Sequence, residues 1–347
     1  MNYSSAGETT QVVNPVARLD RLTTTRFHIL WILLLGLGYL IETFDNIVFG
    51  SLAPSIRAEW GLSIGQIGVI TSAVFIGMMV GAIGGGRLSD RFGRKPVLIW
   101  ASVFYSVFSL MSAIAQNYEM LLVSRILTGI GVQAATGVIM VYISEMFPRV
   151  SRGRFFTVMM FFGALGAPAT SFAALGITSG GPGSWRWVFV MGSVGIIVAV
   201  AVALGLPDTV RWLTLHGKAE KADSVVREME RVAERRGPLP PVAPPRPEVP
   251  QGSFRELFKP TYARRLAVLG TTFGVLVFCL YGFQSWVPTI LVGRGLAHEE
   301  ALRIASVISL APLAGPVALF AVADRIERKT AILLEGLLGG VGLIVFA

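Results

Sequence analysis

Three ionisable residues stand in stretches that are otherwise hydrocarbon-like. Glu42 and Asp45 share Glu42-Thr43-Phe44-Asp45-Asn46, and Arg125 opens Arg125-Ile126-Leu127-Thr128-Gly129-Ile130-Gly131. A charge placed in an apolar layer is costly unless a partner or water meets it, so such residues are candidates for function. A guanidinium can clasp a carboxylate bidentately, and a carboxylate released from that clasp can hold a proton. A pair that breaks on protonation is a proton-coupling switch. The competing assignment makes Asp45 and Arg125 snorkelling anchors at the headgroups. Glu42, about one turn deeper, has no separate partner in the sequence. A second proton site, a substrate contact and a cavity-lining role all stay open to it.

The elements that must position these residues are apolar runs of roughly 20 residues, the length that crosses a bilayer as helix. Nine are legible, at Phe27–Gly50, Ile64–Gly85, Pro96–Ala115, Met120–Phe147, Phe155–Ile177, Trp187–Leu206, Leu266–Val292, Leu302–Ala323 and Thr330–Ala347. Asp45 lies 18 residues from the start of the first run, roughly 27 Å along a helix. The fourth run travels the opposite way, with Arg125 about a turn from its outer end. Both residues therefore fall at the same level of the bilayer, in its outer half.

Composition agrees. The chain is 53% hydrophobic, 15% charged and has a mean hydropathy of +0.65, too apolar for a water-soluble domain of 347 residues. Its basic residues lie in short loops between apolar runs and form no aromatic-interleaved patch, so the pI near 10.1 does not signal nucleic-acid binding. Of 30 Lys and Arg, 25 fall in segments that share one membrane face if the N-terminus is cytoplasmic, and the positive-inside rule selects that orientation. Cys279 stands alone, so there is no disulfide framework. His28, His216 and His298 are scattered and form no metal site. No P-loop lysine motif, G-x-S-x-G or H-E-x-x-H is present, and the expectation is a non-enzyme without cofactors. Gly129-Ile130-Gly131-Val132-Gln133-Ala134 fits a dinucleotide pattern but follows no strand. Close helix packing is the better explanation, as for Gly77, Gly81 and Gly85.

The chain divides into a tail at 1–26, a six-span bundle at 27–206, a connector at 207–265 and three further spans at 266–347. In the connector, Lys218–Arg236 has the pattern of an amphipathic helix, followed by seven prolines in Gly237–Pro250. Between spans two and three lies Gly86-Arg87-Leu88-Ser89-Asp90-Arg91-Phe92-Gly93-Arg94-Lys95, expected to be a very short charged loop whose glycines permit a tight turn. A degraded copy, Ala323-Asp324-Arg325-Ile326-Glu327-Arg328-Lys329, follows 234 residues on. Two parallel six-span halves would produce such an echo, which predicts twelve spans; the last three would then lie beyond this sequence.

The Gly86–Lys95 stretch resembles the loop between the second and third spans of the major facilitator superfamily, Gly-x-Leu-(Ser/Ala)-Asp-Arg-x-Gly-Arg-(Arg/Lys), at every constrained position. Tyr142-Ile143-Ser144-Glu145-Met146-Phe147-Pro148 with Arg152-Gly153-Arg154 is similar to the end of span four in its sugar porters and metabolite:proton symporters. Leu206-Pro207-Asp208-Thr209-Val210-Arg211-Trp212-Leu213 is similar to their Pro-Glu-Ser-Pro-Arg-Trp-Leu motif, with Asp208, Thr209 and Val210 substituted. The resemblance implies an all-α membrane protein with two pseudo-symmetric bundles, working by alternating access. It also implies that Asp45 and Arg125 are the coupling pair of a proton symporter.

Tyr281-Gly282-Phe283-Gln284-Ser285-Trp286-Val287-Pro288-Thr289 looks more like the Trp-x-Pro-Thr of aromatic-acid:proton symporters than the Gln-Gln-x-x-Gly of sugar porters. The first span, by contrast, lacks their Asp-Gly-x-Asp. The expected cargo is thus a small organic acid, benzoate-like or nicotinate-like, with protons. The alternatives are a sugar or polyol symporter, or a truncated membrane protein that does not transport. Gln284, Trp286, Tyr281 and Gln133 are the substrate-contact candidates. The candidate gating network joins Gly86, Asp90, Arg91, Gly93 and Arg94 to Glu145, Arg152 and Arg154, with Asp324, Arg325 and Arg328 as the second copy; it would latch the outward-facing state. A plasma-membrane monomer is expected.

Overall fold

A computed structural model of the chain describes residues 15–242, 258–315, 317 and 328–346. Among them every regular element is helical: α1 (Pro15–Asp20), α2 (Arg26–Trp60), α3 (Ile64–Phe92), α4 (Arg94–Ala113), α5 (Tyr118–Met146), α6 (Arg152–Thr178), α7 (Trp185–Gly192), α8 (Gly195–Gly205), α9 (Val210–Leu215), α10 (Ala219–Glu234), α11 (Pro260–Gly293), α12 (His298–Ile308), a 3₁₀ turn at Ala311–Leu313, and α13 (Arg328–Phe346). Among the described residues, seven segments are long and apolar enough to cross a membrane: α2 to α6, Trp185–Gly205 taken together, and Tyr262–Gly293. The eighth expected span is helical over His298–Ile308 and the ninth over Arg328–Phe346.

Local chemistry sets the helix ends. Asn117 caps α5, its side-chain oxygen accepting from the Met120 amide at 2.8 Å, and Ser63 with Gln66 forms a reciprocal capping box on α3. α2 runs ten residues past the expected end of the first span and stops where Gly61 turns left-handed. The Gly86–Lys95 stretch is not a loop. Arg87–Phe92 continue α3, Arg94 and Lys95 begin α4, and Gly93 alone interrupts them at φ +104°. Charged side chains do not end a helix where it leaves the hydrocarbon; one glycine makes the corner.

Helices α3 and α5 cross closely through the glycines singled out above. A Cβ on Gly77 would collide with the Ile126 carbonyl, and one on Gly85 would lie 2.7 Å from the Ala134 Cα. α11 packs on α2, and α12 on α6. At Gly50 of α2 the backbones of α2 and α11 approach so closely that a Cβ would come 2.7 Å from the Ser285 Cα. Along α11, Leu266, Val268, Leu269 and Phe273 are exposed, whereas Ser285, Val287, Thr289 and Leu291 are buried. The two parts of the chain thus meet at the end opposite Arg94, here termed the far end.

The connector folds back on the N-terminus. Arg18 of α1 pairs with Asp223 and Glu230 of α10, and Arg21 adds a second guanidinium to Glu230 at 2.6 Å. Of the proline spacer, residues 243–250 lie outside the described residues.

Candidate functional site

Asp45 and Arg125 meet inside the first bundle. Nη1 of Arg125 donates to Asp45 Oδ1 at 2.6 Å, and its Nη2 donates to the Asp45 backbone carbonyl, also at 2.6 Å. The clasp therefore takes one carboxylate oxygen and one main-chain oxygen. Both side chains are 0% exposed, which rules out the headgroup-anchor assignment in this structure. The Phe189 ring lies 5.5 Å from the guanidinium carbon and closes one side. Asp45 Oδ2 and Arg125 Nε have no partner.

The space beside Oδ2 is made by Gly192. A Cβ there would lie 2.7 Å from Asp45 Oδ2 and 2.6 Å from Ser109 Oγ. Gly192 also ends α7, and the sixth span resumes only at Gly195. The span breaks where the carboxylate needs room. The run Gly192-Ser193-Val194-Gly195 is the signal in the sequence for this break.

Glu42 is buried on the same helix and accepts from Thr136 Oγ at 2.6 Å; its Oε1 has no partner. No ion pair reaches it among the described residues. Thr136 stands on α5 three residues after Gln133, on the same side of the helix, and both are half-buried. Tyr39 of α2 lies within electrostatic reach of both Glu42 and Tyr281. Tyr281 packs edge-on against Phe75 of α3 at 5.4 Å and faces Asn46 of α2. Trp286 lies against Gly68 of α3, away from that group, and Gln284 is half-buried on α11. Tyr281 thus lies beside Tyr39 and Asn46 of α2, and Gln133 stands one turn from Thr136, while Trp286 packs between helices. Tyr39, Asn46 and Thr136 were not expected, because single tyrosines and threonines in an apolar run carry no distinguishing spacing.

At the charged end, Arg94 donates to Glu145 at 2.9 Å, lies 3.1 Å from Asp90 and donates to the Ser89 carbonyl at 3.0 Å. Thr209 Oγ donates to the other Glu145 oxygen at 2.6 Å. Asp208 accepts from the Arg94 amide at 2.9 Å and so caps α4, while Trp212 Nε1 donates to the Asp90 carbonyl. Three expected members of this network lie elsewhere. Arg91 covers the Phe92 ring, Arg152 bonds the Phe147 carbonyl and approaches Asp20 at 3.7 Å, and Arg154 is exposed. Long cationic side chains at a helix end reach solvent or nearby carbonyls at less entropic cost than a distant carboxylate. Asp324 and Arg325 lie outside the described residues, and Arg328 opens α13.

The described residues thus form a multi-span helical bundle that seals an acid–guanidinium pair between its first and fourth spans. Residues 35–347 match the family model of the Major Facilitator Superfamily, and the chain belongs to that family. It is 33% identical over 320 residues to the YyaJ protein of Bacillus subtilis, covering 91% of this chain and 71% of that one. The niacin transporter NiaP of Acinetobacter baylyi is 28% identical over 331 residues, with 95% and 74% covered. The 4-hydroxybenzoate transporter PcaK of Pseudomonas aeruginosa is 30% identical over 324 residues, with 89% and 69% covered. Among solved structures, the partially occluded inward-open xylose transporter XylE of E. coli superposes with a TM-score of 0.70 at 19% identity, over 88% of this chain and 75% of that one. This last likeness is one of fold.

Proposed function

We propose that the chain carries a small organic acid, an aromatic or nicotinate-like carboxylate, across the plasma membrane together with protons, with its N-terminus in the cytoplasm. The observation that carries this reading is the Asp45–Arg125 clasp: one carboxylate oxygen held at 2.6 Å, the other unpartnered, and both residues sealed from solvent. Protonation of Asp45 removes the charge that holds Arg125, and re-forming the clasp expels the proton. A buried pair that loses one charge becomes strongly unfavourable, so the two states are well separated in energy. The names of the NiaP and PcaK relatives support an acid as cargo. Glu42, with Thr136, Gln133, Tyr281 and Tyr39 around it, lies at the core of the cargo site in this reading. The Asp90–Arg94–Glu145 cluster acts as a latch for the outward-facing state.

Asp45→Asn in the full-length transporter tests the coupling. It is expected to abolish proton-driven accumulation in proteoliposomes while leaving exchange of cargo down its gradient. Uphill uptake at the unaltered level would remove Asp45 from the mechanism.

A further inference from the structure

The far end carries a titratable link between the two parts of the chain. Ser55 of α2 and His298 at the start of α12 meet through Oγ and Nε2 at 2.8 Å. Both residues are half-buried. α12 is in turn fixed to α11, because Ala301 and Ala305 pack with Val287 and Leu291 in one apolar cluster. The bond therefore ties the α11–α12 pair to α2, five residues beyond Gly50. Between the two points lies Pro54, which has no amide to donate to the Gly50 carbonyl, so α2 bends there at lower cost than elsewhere.

His298 suits this place best while neutral. It stands four residues before the expected eighth span, and burial lowers its imidazole below the ordinary value of 6.5. The charged groups on the elements packed around it are engaged or turned to solvent. On α2, Arg57 donates to the Leu62 carbonyl at 3.2 Å, and Glu59 accepts from the Gly183 amide, Trp185 Nε1 and Arg186 Nη1 at 2.7–3.0 Å. Arg294, just past the end of α11, is exposed, as are Glu299, Glu300 and Arg303 of α12 itself. α6 has Arg152 and Arg154 at its opposite end and no charged residue at this one. The start of a helix also disfavours a cation. A serine hydroxyl meets a neutral ring nitrogen as donor or acceptor, but it brings no charge to offset an imidazolium.

We propose that the Ser55–His298 bond is a pH-sensitive fastener of the far end, holding α2 to the α11–α12 pair while His298 is neutral and letting go when the ring takes up a proton from the solution on that side. A proton prefers the arrangement in which the ring is hydrated, so acid shifts the population towards an open far end. The contact is complete above about pH 6.5 and weakens as the pH falls below it. With the N-terminus in the cytoplasm the far end faces outward, and the fastener then opens the chain towards the acidic side from which protons enter; that direction rests on the transport reading above, whereas the fastener itself does not. It is separate from the Asp45–Arg125 pair, which is closed to solvent and lies inside the first bundle.

The test uses the full-length transporter with every cysteine, the exposed Cys279 among them, changed to Ser. Spin labels at Ala58→Cys on α2 and Val307→Cys on α12, both exposed positions, report the distance across the contact by pulsed EPR in frozen proteoliposomes. With Ser55 and His298 in place, the ratio of long to short distances is expected to rise about three- to tenfold from about pH 7.5 to about pH 5.5. His298→Gln, whose amide can still meet Ser55 but takes up no proton, should keep the short distance at both. Ser55→Ala should raise the long-distance share already at the higher pH. No change with pH in the chain that keeps His298, or a full pH response in His298→Gln, overturns the fastener and leaves acid transport standing. Distances that respond as expected in a protein that takes up no organic acid would overturn the cargo reading alone.

Discussion

Two arginines of the first bundle each hold a carboxylate, and they do so in opposite ways. Arg125 serves one residue only, in a closed interior, through two short bonds to Asp45. Arg94 sits at the bundle's charged end and shares its guanidinium among Glu145, Asp90 and a carbonyl, while Thr209 and Asp208 hold the same cluster from the connector. A single-partner pair out of contact with water is all-or-none, because nothing else can compensate either charge. A shared cluster with a route to water loses members gradually. The first arrangement suits a switch and the second a fastening.

The comparison can be broken most severely at Arg125. Arg125→Gln leaves Asp45 buried without its cation and is expected to cost about 3–5 kcal/mol of stability. Adding Asp45→Asn should recover much of that loss in thermal unfolding; a double variant as unstable as the single would show that the pair is not isolated. At the charged end, Arg94→Glu should lower transport and cost less, about 1–3 kcal/mol. Glu145→Arg in the same chain should restore part of the transport, because Asp208 still caps α4 through the backbone. Purely additive losses would separate Arg94 from Glu145 and end the latch reading.

The smallest effect is expected where the pairs are most open, at the α1–α10 contact. Hydrogen bonds from Arg18 hold the Asp223 carboxyl below its usual range; those from Arg18 and Arg21 do the same for Glu230, against the upward push of burial. A carboxylate lowered in the folded state stabilises above its unfolded value, about 4, and loses that contribution as pH falls through the folded value. The contact should therefore be unaffected between neutral pH and about 5 and should loosen below about 4. Amide exchange along α10 as a function of pH reads this directly. Loosening already at pH 6 would place another titrating group in charge.

These contrasts also explain what could be read from the chain alone. The level of Asp45 and Arg125 follows from helix rise and the alternating direction of spans, two quantities that side-chain detail does not alter. The partners of Glu42 depend on which face of α5 turns inward, and no charge or spacing marks Thr136. At the charged end the error was one of backbone: a dense run of charge was expected to be a loop, yet Arg and Leu are good helix formers and α3 simply continues into the aqueous layer. Asp208 and Thr209 stand more than a hundred residues from Arg94, and only the fold brings them to it. Arg91, Arg152 and Arg154 have the composition of network members but spend their charge on nearby rings, carbonyls and solvent.

Gly50 brings the two parts of the chain into direct backbone contact. With no side chain of its own, it lets α2 rest directly on the backbone of α11 at Ser285, near the far end, while the exposed stretch of α11 from Leu266 to Phe273 extends away from that point. A contact placed so close to one end is a fulcrum with unequal arms. In the transport reading proposed above, a tilt at that contact would be amplified along the longer arm of α11, so the end away from Ser285 would move the more.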